Sequence, residues 1–398
     1  MKIKVNILTL FVISVLLFNS CDFLNEDDNN GNDQQIVGVE PLIQTKWSQY
    51  SPYNDLFPIA NEGYTLPVDN NSGRTVTDCT NTALTQIMYY HKHPKQGIGQ
   101  STKLWPMHSY GQTEDVYVNL EIPLDWDNML NTYTTANPGT EIQREAVATL
   151  MYHTAAAIGA DGFLGALLNR LGYDRSIQTH PRNLYTDEEW EALIRKQLDL
   201  KLPVWYSGND PQNSHTFIVD GYDKNGKFHI NWGWGGRDDG WYDLDNLNPN
   251  GVKRFYNNHS IFINIKPDEG STGSNEFMIY EFTPSTTSAR QNERFTVPWR
   301  LRSFGYFIGG QAGAVLVDSN NNIVEIVGTN TLVNEWSPSN TGRNTLSCII
   351  PKDFSPGQYW LMIATRTKDG DGEWKLVTVS NRETGAPTAI NFTVSAVE

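Results

Sequence analysis

Apolar positions recur at three- and four-residue spacing over Ala83, Leu84, Ile87, Met88 and His91, which predicts a helix with that one face buried. Asp78 stands where an N-cap belongs, and Pro94 stops the helix just after Lys92 and His93. The same period returns over Ile142 to Ile158, with Val147, Leu150, Met151 and Ile158 on one face. Thr186-Asp-Glu-Glu189 reads as a capping box that opens a third helix running to about Asp199. The texture then becomes strand-like over Val204–Tyr206, His215–Tyr222, Phe228–Trp232 and Ser260–Ile265, with Asp223-Lys-Asn-Gly226 as a hairpin turn. Helices first and an antiparallel sheet second is an α+β pattern, assigned to residues 41–267.

Residues 268–275 are a linker by composition. Beyond them, over 276–398, short alternating segments fall at Phe277–Phe282, Arg294–Leu301, Gly313–Asp318, Ile323–Val327, Asn344–Ile350, Gln358–Thr365, Trp374–Ser380 and Ala389–Val394. Turns such as Ser319-Asn-Asn-Asn322 separate them, so an all-β sandwich of immunoglobulin-like type is expected. Cys348 and the tryptophans Trp299, Trp336, Trp360 and Trp374 are expected in its core. Asp369-Gly-Asp-Gly-Glu373 lacks the remaining ligands of a calcium loop and reads as a turn.

At the other end, Lys2 and Lys4 precede a mostly apolar run from Val5 to Phe18, too short to span a bilayer, so residues 1–20 read as an export signal. Phe18-Asn-Ser-Cys21 resembles a bacterial lipobox, which implies cleavage before Cys21 and a lipid on that cysteine. Residues 21–40, rich in Asp and Asn, are then a solvated tether, and the protein is anchored to a membrane rather than spanning it. The acidic residues after Cys21 resemble surface-export signals of Bacteroidetes lipoproteins, interrupted by Phe23, Leu24 and Asn25. The expected location is an outer-membrane lipoprotein, periplasmic or at the cell surface, with plain secretion as the alternative. A net charge of −15 with no basic run outside the N-terminus argues against a nucleic-acid partner.

The candidate chemistry begins at Cys79, in the first turn of the first helix. The positive helix end lowers a thiol's pKa, and the thiolate is the nucleophile. From that stretch alone a small core cysteine is an equal reading. A nucleophile needs a base, a group that orients the base, and donors for the oxyanion. Of the eight histidines, His91 and His93 lie at the far end of the same helix, roughly 18 Å away at 1.5 Å per residue. His108, His153, His180 and His259 stand in no supporting motif. His215 opens a strand and Asn231 lies on the next, so the hairpin can set the two face to face. The Asn231 side-chain oxygen then accepts from the imidazole and Trp232 screens that bond from water. His229, two residues before Asn231 on the same side of its strand, is ranked as a framework histidine.

Trp47-x-Gln49-x-x-Pro-Tyr-Asn54, Thr77-x-Cys79-x-x-Thr-Ala-x-x-Gln-Ile-Met-x-Tyr-His91, Pro94-x-x-Gly97, Asp125-Trp-Asp-Asn-Met-Leu130, His215-x-Phe-x-x-Asp-Gly-x-Asp223, Asn231-Trp-Gly-Trp-Gly-Gly236 and Asp239-Gly-Trp-Tyr-x-Leu244 together resemble the streptopain-like (C10) cysteine peptidases, a family with Bacteroidetes members. The resemblance covers about residues 41–267 and implies a papain-like fold, its cleft between a helical half and an antiparallel β half. It implies Cys79 as nucleophile, His215 as general acid/base, Asn231 and Trp232 as its orienting and covering groups, and Gln49 as oxyanion donor. Ser214, Gly233, Trp234, Gly235 and Gly236 would flank bound substrate, and an apolar subsite is implied. Asp78 stands where Gly is common, Thr-Asn follows Cys79 where Val-Ala is common, and Ser214 and Thr216 bracket His215 where Gly and Ala are common. A carboxylate beside the thiol raises its pKa.

These readings make a lipid-anchored cysteine endopeptidase the first expectation, acting on proteins or peptides through an acyl-enzyme. A catalytically weak or inactive peptidase-like surface lipoprotein, acting as an adhesin or binding protein, is the second. No cofactor and no metal are expected, and a monomer is. Family zymogens carry a long propeptide that the 22–78 stretch has no room for, so restraint by a separate inhibitor protein or by membrane location is expected.

Overall fold

A computed structural model describes residues 38–60, 67–107, 116–252, 254–271, 273–332, 339–367 and 373–397. The expected export signal, Cys21, the tether up to residue 37, His108, Trp336 and Asp369–Gly372 lie outside the described residues.

The first helix, α1 (Cys79–His91), begins where expected: Asp78 is extended and its carboxylate accepts from the Asn81 N–H at 2.8 Å. It ends at Lys92, which turns left-handed ahead of Pro94. The single buried face was too narrow a reading, because every residue from Asn81 to Met88 is buried. The reason is tertiary, since α1 packs against α2 (Glu141–Gly165) on one side and against a sheet on the other. α2 starts one residue before the expected segment, at a Thr140–Gln143 capping box, and runs two turns past Ile158 through a non-helical Gly162. α3 (Asp187–Asp199) opens on the predicted Thr186–Glu189 capping box.

A two-stranded ribbon, β1 (Gln100–Ser101) with β2 (Val118–Asn119), lies beside α2. The main sheet holds β3 (Gln178–Pro181), β4 (Val204–Asn209), β5 (Ser214–Tyr222), β6 (Phe228–Asn231), β7 (Gly240–Tyr242) and β8 (Asn257–Ile263), in the antiparallel order β3-β8-β4-β5-β6-β7. Strands β3 and β7 have too few alternating residues to show in the hydrophobic pattern. In β5 Ile218 enters the core that holds α1 and α2, whereas Phe217 and Val219 enter the core that holds α3. Covering both faces of one strand explains its near-continuous apolar run.

The C-terminal strands form two sheets around a shared core that includes Trp299, Leu316, Cys348, Ile363 and Phe392. One sheet orders β10 (Ser288–Arg290), β18 (Ala389–Ser395), β15 (Gly357–Thr367), β12 (Gly310–Val317) and β13 (Ile323–Leu332), with β16 (Lys375–Leu376) also on β15. The other orders β14 (Thr341–Ile349), β11 (Arg294–Ser303), β9 (Phe277–Phe282) and β17 (Val379–Ser380). The segment expected as one strand over Trp374–Ser380 is therefore divided between the two sheets. Trp360 is half exposed and Trp374 partly so, unlike the buried Trp299.

The linker is not a free tether. Asp174, on the helical side, accepts from the N–H groups of Ser176 (2.8 Å), Glu269 (3.0 Å) and Ser271 (3.3 Å). Beyond it, His180 stacks on Phe304 at 4.5 Å, Leu184 clusters with Met278 and Phe304, and Arg382 pairs with Glu189 at 2.9 Å. Burial alone pushes the Asp174 carboxyl up, but the Ser176, Glu269 and Ser271 donors outweigh it and hold it below the usual carboxylate range. An acid held low stabilises the fold above its unfolded value of about 4, and that contribution is lost as pH falls through the lowered native value. Asp174→Ala is expected to cost about 2–4 kcal/mol, seen as a lower Tm at neutral pH. Protease cleavage within 268–275 should appear with it, and the difference from wild type should shrink on acidification.

Candidate active site

The Asp78 cap fixes Cys79 as the first residue of α1, at the wall of a cleft of about 620 Å3. One wall comes from the segments around α1: Gln49, Pro67, Val76, Thr77, Asp78, Cys79, Thr80, Trp105 and Pro106. The other comes from the sheet and its loops: Ser207, Gly208 and Asn209 of β4, Ser214, His215 and Thr216 of β5, with Trp234 and Asn258. The antiparallel register sets Gly208 beside His215 and Ser207 beside Thr216, and a Cβ at Gly208 would stand 2.6 Å from the Phe255 carbonyl oxygen and 2.8 Å from the His259 ring. Gln49 is drawn to the nucleophile's segment because its carbonyl accepts from the Thr77 N–H at 3.2 Å. Of the residues singled out in the sequence, the cleft gathers Cys79, His215, Gln49, Ser214 and Trp234.

His215 Nε2 donates to the Trp232 main-chain carbonyl at 2.9 Å. A carbonyl only accepts, so this bond puts the proton on Nε2 and leaves Nδ1 as the basic nitrogen of the neutral ring. The N–H on that carbonyl's own peptide, from Gly233, donates to Asn231 Oδ1 at 3.0 Å, and the Trp232 N–H, one peptide earlier, donates to Asp239 Oδ1 at 2.9 Å. Trp234 stacks on the imidazole at 4.8 Å, and Phe255 (5.2 Å), Phe217 and Trp232 (both 6.1 Å) complete an aromatic surround.

The expected Asn231–His215 bond is not made. Asn231 pairs across the sheet with Ile218, and a bulge between Val219 and Gly221 sets that register. Its Oδ1 accepts instead from Gln86 Nε2 (3.1 Å) and the Gly233 N–H (3.0 Å), and its Nδ2 donates to the Thr45 carbonyl (2.8 Å). The covering role expected of Trp232 falls more closely to Trp234, while Trp232 supplies the orienting carbonyl. Gly233, Gly235 and Gly236 do not line the cleft. A Cβ at Gly233 would stand 3.2 Å from Thr82, one at Gly236 would stand 2.7 Å from Lys46, and the Gly235 N–H donates to the Trp47 carbonyl at 2.9 Å. Their smallness lets this loop lie against α1 and the 46–48 segment. His229 donates or accepts at Asp220 (2.6 Å), and Asp220 also holds the Ile43 N–H (2.8 Å), which suits a framework role.

The electrostatics run against the helix-end expectation. Burial, then the neighbouring Asp78 charge, push the Cys79 thiol up to about 11, against opposing donors on Thr216 and Thr80. Burial pushes His215 down to about 4, opposed by the Trp232 carbonyl. Asp78 is itself raised to about 6 by burial, although Asn81 and Trp105 donate to it. The resting pair is a neutral thiol and a neutral imidazole. Asp78→Gly is expected to move the pH profile of Cys79 alkylation to lower pH. An unmoved profile would mean that the carboxylate does not act on the sulfur.

Sequence reasoning missed Gln86, Trp105, Thr216 as a thiol donor, and Phe255. Gln86 lies two turns after Cys79 on the same face of α1 and inside the motif that opens at Thr77, but the motif assigns it no role, and Trp105 and Phe255 stand in no motif. The Thr after His215 also carried a signal, as an unusual neighbour of the base.

A family model described as the peptidase C10 family matches residues 47–242. Streptopain of Streptococcus pyogenes is 29% identical over 252 residues, covering 58% of this chain and 63% of that protein. The thiol protease/hemagglutinin PrtT of Porphyromonas gingivalis is 26% identical over 375 residues, covering 85% of this chain and 40% of that protein. Among solved structures, active wild-type interpain A cysteine protease of Prevotella intermedia matches with 30% identity and a TM-score of 0.50, over 57% of this chain and 95% of that one. The chain thus spans less than two thirds of the length of the curated relatives it matches.

Proposed function

The chain belongs to the peptidase C10 family, and on that premise we propose that it is a cysteine endopeptidase with a papain-like catalytic region. The observation that carries this reading is Cys79 at the start of a buried helix, facing one cleft with a histidine whose Nε2 is tied to the Trp232 carbonyl. As a substrate carbonyl approaches, His215 Nδ1 takes the thiol proton while Cys79 Sγ bonds to the carbonyl carbon. The oxyanion is met by the Cys79 N–H and the Gln49 amide. Collapse expels the amine, which takes the proton back from His215 and leaves a thioester. Water, deprotonated by His215, then hydrolyses that thioester and frees the thiol. Trp234 and Phe255 keep water off the imidazole. Export and anchoring through a lipid on Cys21, and an immunoglobulin-like class for the C-terminal sheets, belong to the same reading and rest on the sequence pattern alone.

The test is incubation with an unfolded protein substrate and with an irreversible thiol-directed inhibitor. Stoichiometric labelling of Cys79, with loss of proteolysis, is the expected result, and Cys348 stays unlabelled because it is buried in the sandwich core. Intact substrate together with unlabelled Cys79 would sink the proposal. A second role is favoured by one observation: the match to a protein named thiol protease/hemagglutinin is long enough to reach into the C-terminal sheets. A binding role there is expected to survive loss of Cys79.

A further inference from the structure

The cleft wall beside the nucleophile carries a charge without a counter-charge. Among the described residues that line the cleft, Asp78 has the one carboxylate, and none is a lysine or arginine. Its Oδ1 accepts from the Asn81 N–H at 2.8 Å and its Oδ2 accepts from the Trp105 indole N–H. A carboxylate has about four acceptor positions, so two such bonds leave capacity for another donor. Neither partner is charged, and no ion pair of Asp78 occurs among the described residues. Trp105 lines the same cleft and is only partly buried. Together with Pro106 it offers apolar surface for the alkyl stem of a long side chain, and an indole is the best ring partner for a cation.

We propose that this corner is a substrate subsite, in which the Asp78 carboxylate and Trp105 receive a lysine or arginine side chain next to the scissile bond. The inference rests on the peptidase reading above and names its substrate class. Asp78 immediately precedes Cys79, so a cation held there belongs to a residue flanking the bond that the thiol attacks. A positive charge brought to Asp78 also offsets the field that raises the thiol, so a basic substrate eases formation of the thiolate that cleaves it. Selection and activation are then one event. Among the described residues, the other titratable groups lining the cleft are Cys79 and His215, neither of which is charged at rest near neutral pH.

The experiment uses paired fluorogenic peptides that differ only in lysine against norleucine, placed in one series just before and in another just after the scissile bond. For the wild-type chain at pH 8 the ratio of kcat/KM for lysine over norleucine is expected to reach about 10 or more in one series, the scale of a charge-assisted hydrogen bond. In Asp78→Asn, which keeps a good N-cap, the ratio is expected to fall toward one. The wild-type ratio is also expected to fall from pH 8 to pH 5, as the carboxyl near 6 takes up its proton, and this arm needs no variant. Because each readout is a ratio on one enzyme sample, a general loss of rate does not imitate it. Equal hydrolysis of both peptides by the wild type, or a ratio unchanged in Asp78→Asn, overturns the subsite and leaves the peptidase reading standing. Hydrolysis of neither peptide, with Cys79 resistant to alkylation, overturns the peptidase reading and the subsite with it.

Discussion

Cys79→Ala is expected to lower kcat on peptide substrates by roughly 10⁴-fold or more, the scale seen when a covalent nucleophile is removed from an acyl-transfer enzyme. Among the described residues the other cysteine, Cys348, cannot substitute, because it is 1% exposed and lies among the strands of the C-terminal core. The loss is expected in kcat rather than in KM, since the methyl group leaves the cleft walls and the Gln49 and main-chain donors where they were. Thermal stability should hold or rise slightly, because the thiol is held above its ordinary pKa and makes no bond on which the fold depends. His215→Ala should approach the same loss by a different route. With the thiol raised to about 11, a thiolate is scarce at neutral pH, and proton transfer to Nδ1 during attack is the way it forms. The imidazole is deprotonated above about pH 4, so acid should quench the wild type as His215 becomes protonated. Progress curves on one peptide from pH 4 to 9, for both variants and wild type, check these expectations.

How much of this was legible in the chain depended on how local the determining contacts are. The Thr186 capping box, the Asp78 cap and the Asp223–Gly226 turn use partners within a few residues, and each appears where its pattern lies. Cys79 and His215 could be paired as cleft residues only with the family resemblance, since the helix start alone read equally as a core cysteine. What failed were statements that needed register or a third layer. Asn231 misses His215 because the hairpin register pairs it with Ile218, three residues along β5 from His215, even with the bulge next to Gly221 that brings it one residue nearer. That glycine exists for the 38–41 segment, since a Cβ there would stand 2.7 Å from the Val39 carbonyl oxygen. The amphipathic reading of α1 named one buried face only, whereas α2 also covers Thr85, through Met151, and the sheet covers Gln86, through Asn231. The glycine-rich 233–236 segment was legible as a special backbone, but not what it packs against.

Gln86→Met is expected to cost about 2–4 kcal/mol of stability and to lower kcat well beyond any change in KM. Gln86 is fully buried in the middle of α1, and three elements of the site meet on its amide. Its Oε1 accepts from Thr45 Oγ1 (2.8 Å), the Trp47 N–H (3.3 Å) and Asn231 Nδ2 (3.3 Å), and its Nε2 donates to Asn231 Oδ1 (3.1 Å). The Thr45–Trp47 segment leads to Gln49, and Asn231 precedes the Trp232 carbonyl that holds His215. One side chain therefore sets the nucleophile's helix, the oxyanion donor's segment and the base's anchor relative to one another. Methionine fills the same volume but leaves buried donors on Thr45, Trp47 and Asn231 unmet, each a cost larger than the bond itself. A loss of this size stays within a typical margin of about 5–15 kcal/mol, so the variant can be assayed folded. Gln86→Glu separates positioning from bulk stability. A glutamic acid buried here stays neutral until well above its ordinary pKa, and its O–H then replaces the Nε2–H donor to Asn231. Activity close to wild type at pH 6, falling as pH rises and the carboxyl ionises, is the expected result, measured as kcat at substrate saturation. A Gln86→Met variant that melts lower yet keeps the wild-type kcat would reduce Gln86 to a core residue.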